Sequence, residues 1–463
     1  MIFQPYYLAC LAHASYLIGD ETTKAAVVVD PQRDVDGYLK FAAERGLVIR
    51  HVVLTHFHAD FVAGHVELAA ATGATIHLGA KARADFAFHA LKDGDTITMG
   101  QVKLVALETP GHTPEGITVL VFDTATDPKT PRMALTGDTL FIGDVGRPDL
   151  MASAGTSADA LASSLYDSIR NKLAPLPDSV EVWPAHGAGS MCGKNLSNER
   201  VSTMGVQKAT NWAFQTTTKA EFVRAATTDL PMQPSYFGYA ADMNRRKRPT
   251  LTNVLERELK PLQLEEVLRA LQAGDTVLDV READDFARGH LPGSINIGLS
   301  GKFATWAGIV LDRTKPIRLV ADPETEVEAA TRLARIGFDF VKGYLAAGAQ
   351  AFASRPELTR KFRRVSPDAL ADDLAKKTPP HVLDVRAESE WKAGHVEGAQ
   401  WLPLPEVEQR LAEVPRDRRV VIQCGGGYRS SIAASLLMRH GFTNVEDQTG
   451  GWAAWAKRQR PVC

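Results

Sequence analysis

The sequence predicts an α/β protein in three parts, one larger domain followed by two smaller and mutually related modules. Three observations predict this. A length of 463 residues supports about three domains of ordinary size. From Met1 to about Arg200, short β-branched runs alternate with helical stretches. Beyond that region two segments repeat one another, VLDVREADDFARGHLPGSINI from Val277 and VLDVRAESEWKAGHVEGAQWL from Val382.

Taken in order, the apolar stretch Tyr6 to Ile18 reads as a first strand or hairpin. No Lys or Arg precedes it, and His13 and Ser15 interrupt it, which argues against a signal sequence. Strands are expected at Ala25–Val29, His51–Leu54, Val102–Leu107 and Ile117–Phe122, and helices at Val66–Thr72 and Ala158–Leu173. From Val201 to about Ala241 the pattern turns helical. The basic segment Asn244–Arg248 before Pro249 reads as a solvated linker and a boundary. In the repeat, Asp279 precedes His290 by the same 11 positions that separate Asp384 from His395, and Arg335-Ile-Gly-Phe338 and Arg439-His-Gly-Phe442 each close a helix. The expected division is 1–255, 260–356 and 362–463.

Composition excludes several classes. With 53 Lys+Arg against 55 Asp+Glu and a net charge of -2, no charge excess favours nucleic acid or an anionic membrane. No segment approaches the roughly 18 apolar residues of a membrane helix. Four scattered cysteines, Cys10, Cys192, Cys424 and Cys463, do not form a disulfide framework, so a reducing cytoplasm is expected. Two-fold homo-oligomerisation is the default expectation.

Three patches have the composition of a metal site: Thr55-His-Phe-His-Ala-Asp60, Thr109-Pro-Gly-His-Thr-Pro114 and Thr136-Gly-Asp-Thr-Leu140. Each follows an apolar run, which puts it on a loop where a rigid sheet can aim ligands. His56, His112 and Asp138 then supply two imidazoles and a carboxylate, a set that leaves coordination positions open. His65 and His89 lie outside any patch and read as ordinary histidines.

These patches, with VVVDP and WPAHGAGS, make Met1 to about Gly193 resemble the metallo-β-lactamase fold, which implies an αββα sandwich. Two-metal hydrolases of that superfamily, such as glyoxalase II, carry a His-x-His-x-Asp-His run; here Phe61 stands at the last position, and a phenyl ring donates no lone pair to a metal. Within the superfamily the chain is similar to persulfide dioxygenases, in particular bacterial fusions with rhodanese domains. That resemblance implies one Fe(II) on His56, His112 and Asp138, oxidation of a low-molecular-weight persulfide (glutathione, coenzyme A or bacillithiol) by O2, and sulfite plus thiol as products. His58, Asp60 and His186 are expected to orient ligands or substrate. In Gly143-Asp-Val-Gly-Arg-Pro-Asp149, Arg147 either organises the pocket or forms an ion pair with Asp144 or Asp149. Cys192 is either a small buried cysteine or a sulfur acceptor beside the iron pocket. The rival readings are a zinc thioester hydrolase with rhodanese appendages and a non-catalytic sulfur-binding sensor or scaffold.

In the last module, Arg419–Gln423 reads as a strand and Ser431–Arg439 as a helix, with Cys424-Gly425-Gly426-Gly427-Tyr428-Arg429 between them. Three glycines let the backbone wrap the thiol, helix-terminal N–H groups stabilise a thiolate or persulfide, and Arg429 adds a positive charge. This Cys-x-x-x-x-Arg loop resembles that of rhodanese sulfurtransferases, which implies sulfur transfer through Cys424 that forms or consumes thiosulfate. The earlier copy reads Val320-Ala-Asp-Pro-Glu-Thr-Glu326 there. It has no cysteine, and its acidic residues repel a sulfur anion. The module at about Leu262–Phe352 is therefore expected to be structural or an interaction surface.

Overall fold

The computed structural model describes residues 1–150 and 156–458, so Cys463 lies outside the described residues. The chain divides into two compact units, residues 1–253 with 334–337, and residues 254–333 with 338–463.

The first unit holds two mixed six-stranded sheets. One runs in the order Ile2–Leu8, His13–Gly19, Ala25–Val29, Val48–Val53, Thr75–Gly79 and His89–Leu91; the other runs Ser202–Thr203, Glu181–Pro184, Met133–Gly137, Ile117–Asp123, Val102–Glu108 and Thr96–Met99. The stretch from Tyr6 is a hairpin, with Ile2 opposite Gly19 and Leu8 opposite His13. Period-two alternation sends Tyr16, Ile18, Val27, Val29 and Val53 inward against Leu104, Ala106, Val119, Val121 and Leu135. The alternate residues Leu17, Ala26, Val28, Ile49 and Val52 pack beneath the helices Asp36–Glu44 and His65–Thr72. On the far face Leu120, Phe122, Ala134 and Val182 meet Leu161 to Leu173 of the helical layer. This is an αββα sandwich. The expected helix Ala158–Leu173 is α-helical to Ser168 and then widens into a π turn, Ile169–Leu173. The helical stretch after Val201 contains Met204–Thr210, Trp212–Gln215, Lys219–Thr227 and Phe237–Arg245.

Arg246 and Lys247 are exposed, as a solvated linker requires, but the two ends of the Asn244–Arg248 segment correct that reading. Asn244 is fully buried and the Arg248 side chain is 3% exposed. Arg248 donates to Glu67 and to the Ala63 carbonyl, and Glu67 is itself buried, so the arginine joins Arg33 as a counter-charge of a desolvated carboxylate. Charge count alone could not separate a buried partner from a solvated face.

The second unit contains two five-stranded parallel sheets of the same design, ordered Pro261–Leu262, Val341–Leu345, Ile317–Val320, Thr276–Asp279, Ile295–Asn296 and Arg363–Val365, Val445–Gln448, Val420–Gln423, His381–Asp384, Gln400–Trp401. The Asp-Val-Arg repeat is explained by burial. Arg386 donates to Asp384 at 2.9 and 2.7 Å and to the Gly394 carbonyl at 2.7 Å; Arg281 makes the same bonds to Asp279 at 2.9 and 2.6 Å and to Gly289 at 2.8 Å. Each repeated histidine returns a ring nitrogen to the helix before it, His290 to Phe286 and His395 to Trp391. Among the described residues no helix is long and apolar enough to cross a membrane, and the described cysteines are free.

Asp384 and Arg386 are 0% and 2% exposed. Arg386→Ala strands a buried carboxylate and is expected to destabilise the last module by about 3–5 kcal/mol. Urea unfolding of the full-length protein checks this; a loss below about 1 kcal/mol, the worth of an exposed pair, contradicts it.

Candidate metal centre and sulfur-carrier loop

The metal patches all lie on loops at the C-terminal ends of strands: His56 after Val48–Val53, His112 after Val102–Glu108, Asp138 after Met133–Gly137 and His186 after Glu181–Pro184. Gly137 makes the Asp138 turn. Its φ is +53°, and a Cβ there would meet the Thr55 hydroxyl at 2.6 Å.

His56, His112 and Asp138 come together with one ligand atom each, all within 4.8 Å of one another. Asp138 Oδ2 lies 3.7 Å from His56 Nε2 and 3.4 Å from His112 Nε2. Such donor spacing suits a shared cation, because metal–ligand bonds of roughly 2.0–2.2 Å hold neighbouring donors roughly 3–3.5 Å apart. Buried, unpartnered atoms support the fit: His56 Nε2, both Asp138 oxygens, His186 Nε2 and Asp60 Oδ1 have no hydrogen-bond partner among the described residues.

The ligand tautomers follow from the hydrogen bonds around them. Asp30 accepts from Thr55 N at 2.7 Å and from Thr55 Oγ1 at 2.8 Å. With its proton committed to Asp30, the Thr55 hydroxyl can only accept from His56 Nδ1, 3.0 Å away, which leaves the Nε2 lone pair toward the centre. His112 Nδ1 donates to the Arg147 carbonyl at 2.8 Å, with the same result. Burial, and then the neighbouring His58, His112 and His186, hold His56 well below the usual histidine range, so it stays in the neutral, metal-binding form.

The remaining predicted residues take distinct places. His58 Nε2 lies 3.0 Å from Asp30 Oδ1; burial disfavours its charge, but Asp30 prevails and raises it. His186 Nε2 lies 3.5 Å from Asp60 Oδ2 and 3.7 Å from Asp138 Oδ1. His58, Asp60 and His186 form a second three-donor group, and Asp138, His186 and Cys192 a third. Phe61 packs between the rings of His13 and His58, with centroids 3.9 and 4.4 Å away. Arg147 forms a bidentate pair with Asp149 at 3.0 and 2.7 Å; Asp144 instead accepts from Trp212 Nε1 and from the backbone of Lys194 and Asn195. Cys192 is 1% exposed, and burial with the nearby Asp60 and Asp138 pushes its thiol well up, which keeps it protonated.

Sequence reasoning missed four residues. Asp30 was visible only as the acid that ends VVVDP. His13 packs against Phe61 with the rings tilted, Glu115 accepts from Phe57 N at 3.1 Å, and Asn244 bonds the carbonyls of His58 and Phe61 at 2.9 and 2.8 Å and the amide of Ala63 at 2.8 Å. Asn244 is remote in sequence from the loop it holds, so no local pattern announced it.

In the last module Cys424 follows the strand Val420–Gln423, and the helix Tyr428–Arg439 begins three residues before its expected start. Gly427 N donates to Cys424 Sγ at 3.1 Å, and the thiol donates to Ser430 Oγ at 3.4 Å. The loop carbonyls of Cys424 and Gly425 accept from Trp452 N and Ala453 N at 2.6 and 3.0 Å. Gly451 permits this approach: a Cβ there would sit 2.3 Å from the Cys424 carbonyl. Gly426 has open space around its Cα, Tyr428 donates to the Gly298 carbonyl, and Gly425 lies under the Arg429 guanidinium. Arg429 is not an unopposed charge; it holds Glu390 at 2.6 and 2.7 Å. In the earlier copy Asp279 pairs with Val320 as Asp384 pairs with Gln423, which places Ala321 at the position of Cys424.

Residues 8–186 match the metallo-beta-lactamase superfamily, and residues 263–354 and 366–458 each match the rhodanese-like domain. The mitochondrial persulfide dioxygenase of Bos taurus is 32% identical over 194 residues, 40% of this chain and 68% of that protein. A sulfurtransferase of Allochromatium vinosum is 34% identical over 98 residues, 21% of this chain and 92% of that protein. The solved structure of a metallo-beta-lactamase from Staphylococcus aureus is similar with a TM-score of 0.68 and 33% identity, covering 74% of this chain and 98% of that one.

Asn244→Ala frees the loop that carries His58 and Asp60. It is expected to weaken metal retention about 10- to 100-fold, the usual effect of losing an outer hydrogen-bonding partner. Chelator competition with circular dichroism as the folding control measures it, and unchanged retention contradicts the assignment.

Proposed function

We propose, from the premise that this chain belongs to the metallo-beta-lactamase superfamily as a fusion of a persulfide dioxygenase-type domain with two rhodanese-like domains, that it oxidises a thiol persulfide and moves sulfane sulfur through Cys424. The observation that carries this reading is the His56, His112 and Asp138 set, with unpartnered buried donor atoms, beside a phenyl ring at residue 61. We assign one Fe(II) to these three residues. Bound there, iron would supply open positions for the persulfide sulfur and O2, with the sulfane sulfur as the source of the four electrons that O2 reduction needs. The balanced reaction is R-S-S⁻ + O2 + H2O giving R-SH, sulfite and a proton.

In this reading Thr55, through Asp30, and the Arg147 carbonyl fix the two imidazoles, so the ligand set reorganises little on binding. His58, Asp60 and His186 form a donor group beside the ligand set, and in this reading they orient substrate and hold the proton released with sulfite. Cys192 is assigned a packing role, since its neutral thiol is a poor nucleophile. In the last module the Cys424 thiolate attacks the sulfane sulfur of a donor, breaking the donor's S–S bond and releasing its thiol. The resulting Cys424 persulfide, stabilised by the Gly427 N–H, gives its outer sulfur to an acceptor anion drawn toward Arg429 while Cys424 leaves as the thiolate. Sulfite as acceptor gives thiosulfate, and thiosulfate as donor reverses the step. The boundaries 1–255, 260–356 and 362–463, a cytoplasmic setting and homo-oligomeric assembly belong to the same reading.

The group His58, Asp60 and His186 favours one alternative, a two-metal zinc thioester hydrolase. Metal stoichiometry and substrate separate the two. Anaerobically iron-loaded protein is expected to bind one iron per chain, to consume O2 with a persulfide and to release sulfite. Two zinc ions per chain with thioester turnover and no O2 uptake would replace the dioxygenase reading with the hydrolase. Cys424→Ser is expected to abolish thiosulfate formation while O2 uptake continues; thiosulfate made at the wild-type rate removes Cys424 from the scheme.

A further inference from the structure

The Cys424 loop has an intrinsic mechanical weakness. Three consecutive glycines give Gly425 to Gly427 more backbone freedom than any other composition, and that freedom opposes a fixed Sγ geometry. Restraint has to come from outside the loop, and much of it comes from the copy that carries no sulfur.

Asn296 is the first tether. It is 1% exposed and rooted in its own module, where Nδ2 donates to the carbonyls of Asp279 and Arg281 at 3.0 and 2.9 Å. Its Oδ1 accepts from Ser431 Oγ at 2.7 Å, and its backbone N–H donates to Ser435 Oγ at 3.0 Å. Both serines belong to the helix Tyr428–Arg439 that follows the loop, as its fourth and eighth residues. The second tether is the Gly298 carbonyl, which accepts from the Tyr428 hydroxyl at 2.7 Å. The third is Asp284. It accepts from Arg364 NH1 at 2.5 Å, and the same guanidinium donates to Asp447 at 2.9 Å and reaches the Gly427 carbonyl at 3.4 Å. Gly427 is the residue whose N–H holds Cys424 Sγ.

The two copies differ where this matters. Asp279 pairs with Asn296 as Asp384 pairs with Trp401. The Trp401 indole donates to the Arg386 carbonyl of its own module, as Asn296 Nδ2 does to Arg281, but an indole has no acceptor to offer a neighbouring helix. The amide is therefore suited to tie one module to the other.

We propose that the sulfur-silent module is a positioning element for the active one, with Asn296, Gly298 and Asp284 clamping the Cys424 loop through Ser431, Tyr428 and Arg364. This rests on the reading of Cys424 as the sulfur carrier. The charged pairs that face the loop are Arg429 with Glu390, Arg364 with Asp447 and Arg386 with Asp384. None of them is altered by Asn296→Ala or Tyr428→Phe, so a changed Cys424 titration in those variants reports loop geometry.

The test uses full-length protein with Asn296→Ala, Tyr428→Phe, Asp284→Ala and Asp284→Glu. Two readouts are taken: thiosulfate-to-cyanide sulfur transfer, and the pH profile of Cys424 alkylation by iodoacetamide, followed on its own peptide by mass spectrometry. Asn296→Ala, Tyr428→Phe and Asp284→Ala are each expected to lower kcat about three- to tenfold, the effect of one lost hydrogen bond, with KM within about twofold. Their alkylation profiles move to higher pH as the Gly427 N–H loses its aim, and Asp284→Glu regains most of what Asp284→Ala loses. Wild-type kinetics and profiles throughout overturn the clamp. So does a kcat loss that follows a lowered melting temperature while the profile stays in place. If the wild-type protein transfers no sulfur, the carrier reading fails, and the alkylation profiles still decide the clamp.

Discussion

The buried carboxylate of Asp30 is the fixed point of the first unit. It ends a strand at a φ of +50°, a conformation tolerated because its own N–H is tied to Val53 and its oxygens to Thr55 and His58. Once Asp30 takes the Thr55 proton, the hydroxyl has only lone pairs left, His56 has to donate from Nδ1, and Nε2 has to face the centre. A chain of three groups thus converts a strand-end acid into a metal-ready imidazole. His58 is drawn toward the same acid, which leaves Asp138, with His56 and His112, at the middle of the site.

The second unit shows how one scaffold supports two fates. Both copies keep a buried Asp–Arg pair hooked to a glycine carbonyl, because removing either charge would strand the other in the core. Both also bring a left-handed glycine, Gly348 or Gly451, against the carbonyl that ends the sulfur strand. The difference lies in the loop. Where the last module offers a thiol with the Gly427 N–H bonded to it, the earlier copy has Ala321 followed by Asp322, Glu324 and Glu326. Packing constraints preserve the frame and place no demand on the chemistry carried by its loop.

Charge near a site acts through its partners. Arg429 meets Glu390 and Arg147 meets Asp149, while Arg248 shares the Glu67 carboxylate with Arg33. For Arg429 the partner is a carboxylate already in place, held at 2.6 and 2.7 Å. Arg147 reaches His112 through its backbone carbonyl, while its guanidinium holds Asp149.

By itself the sequence determined the three α/β parts, the duplication, the metal-binding patches and the cysteine loop. All of these are local signals, in which hydrophobic period, glycine placement and short-range spacing write backbone geometry directly into the chain. Tertiary structure alone decided the partners. Asn244 reaches His58 across 186 positions, Asn296 reaches Ser431 across 135, and Asp30 selects the His56 tautomer from another strand. Those pairings are set by which strand ends and helix termini the packed core brings side by side, and a buried polar group takes whichever partner the fold delivers, at whatever separation along the chain.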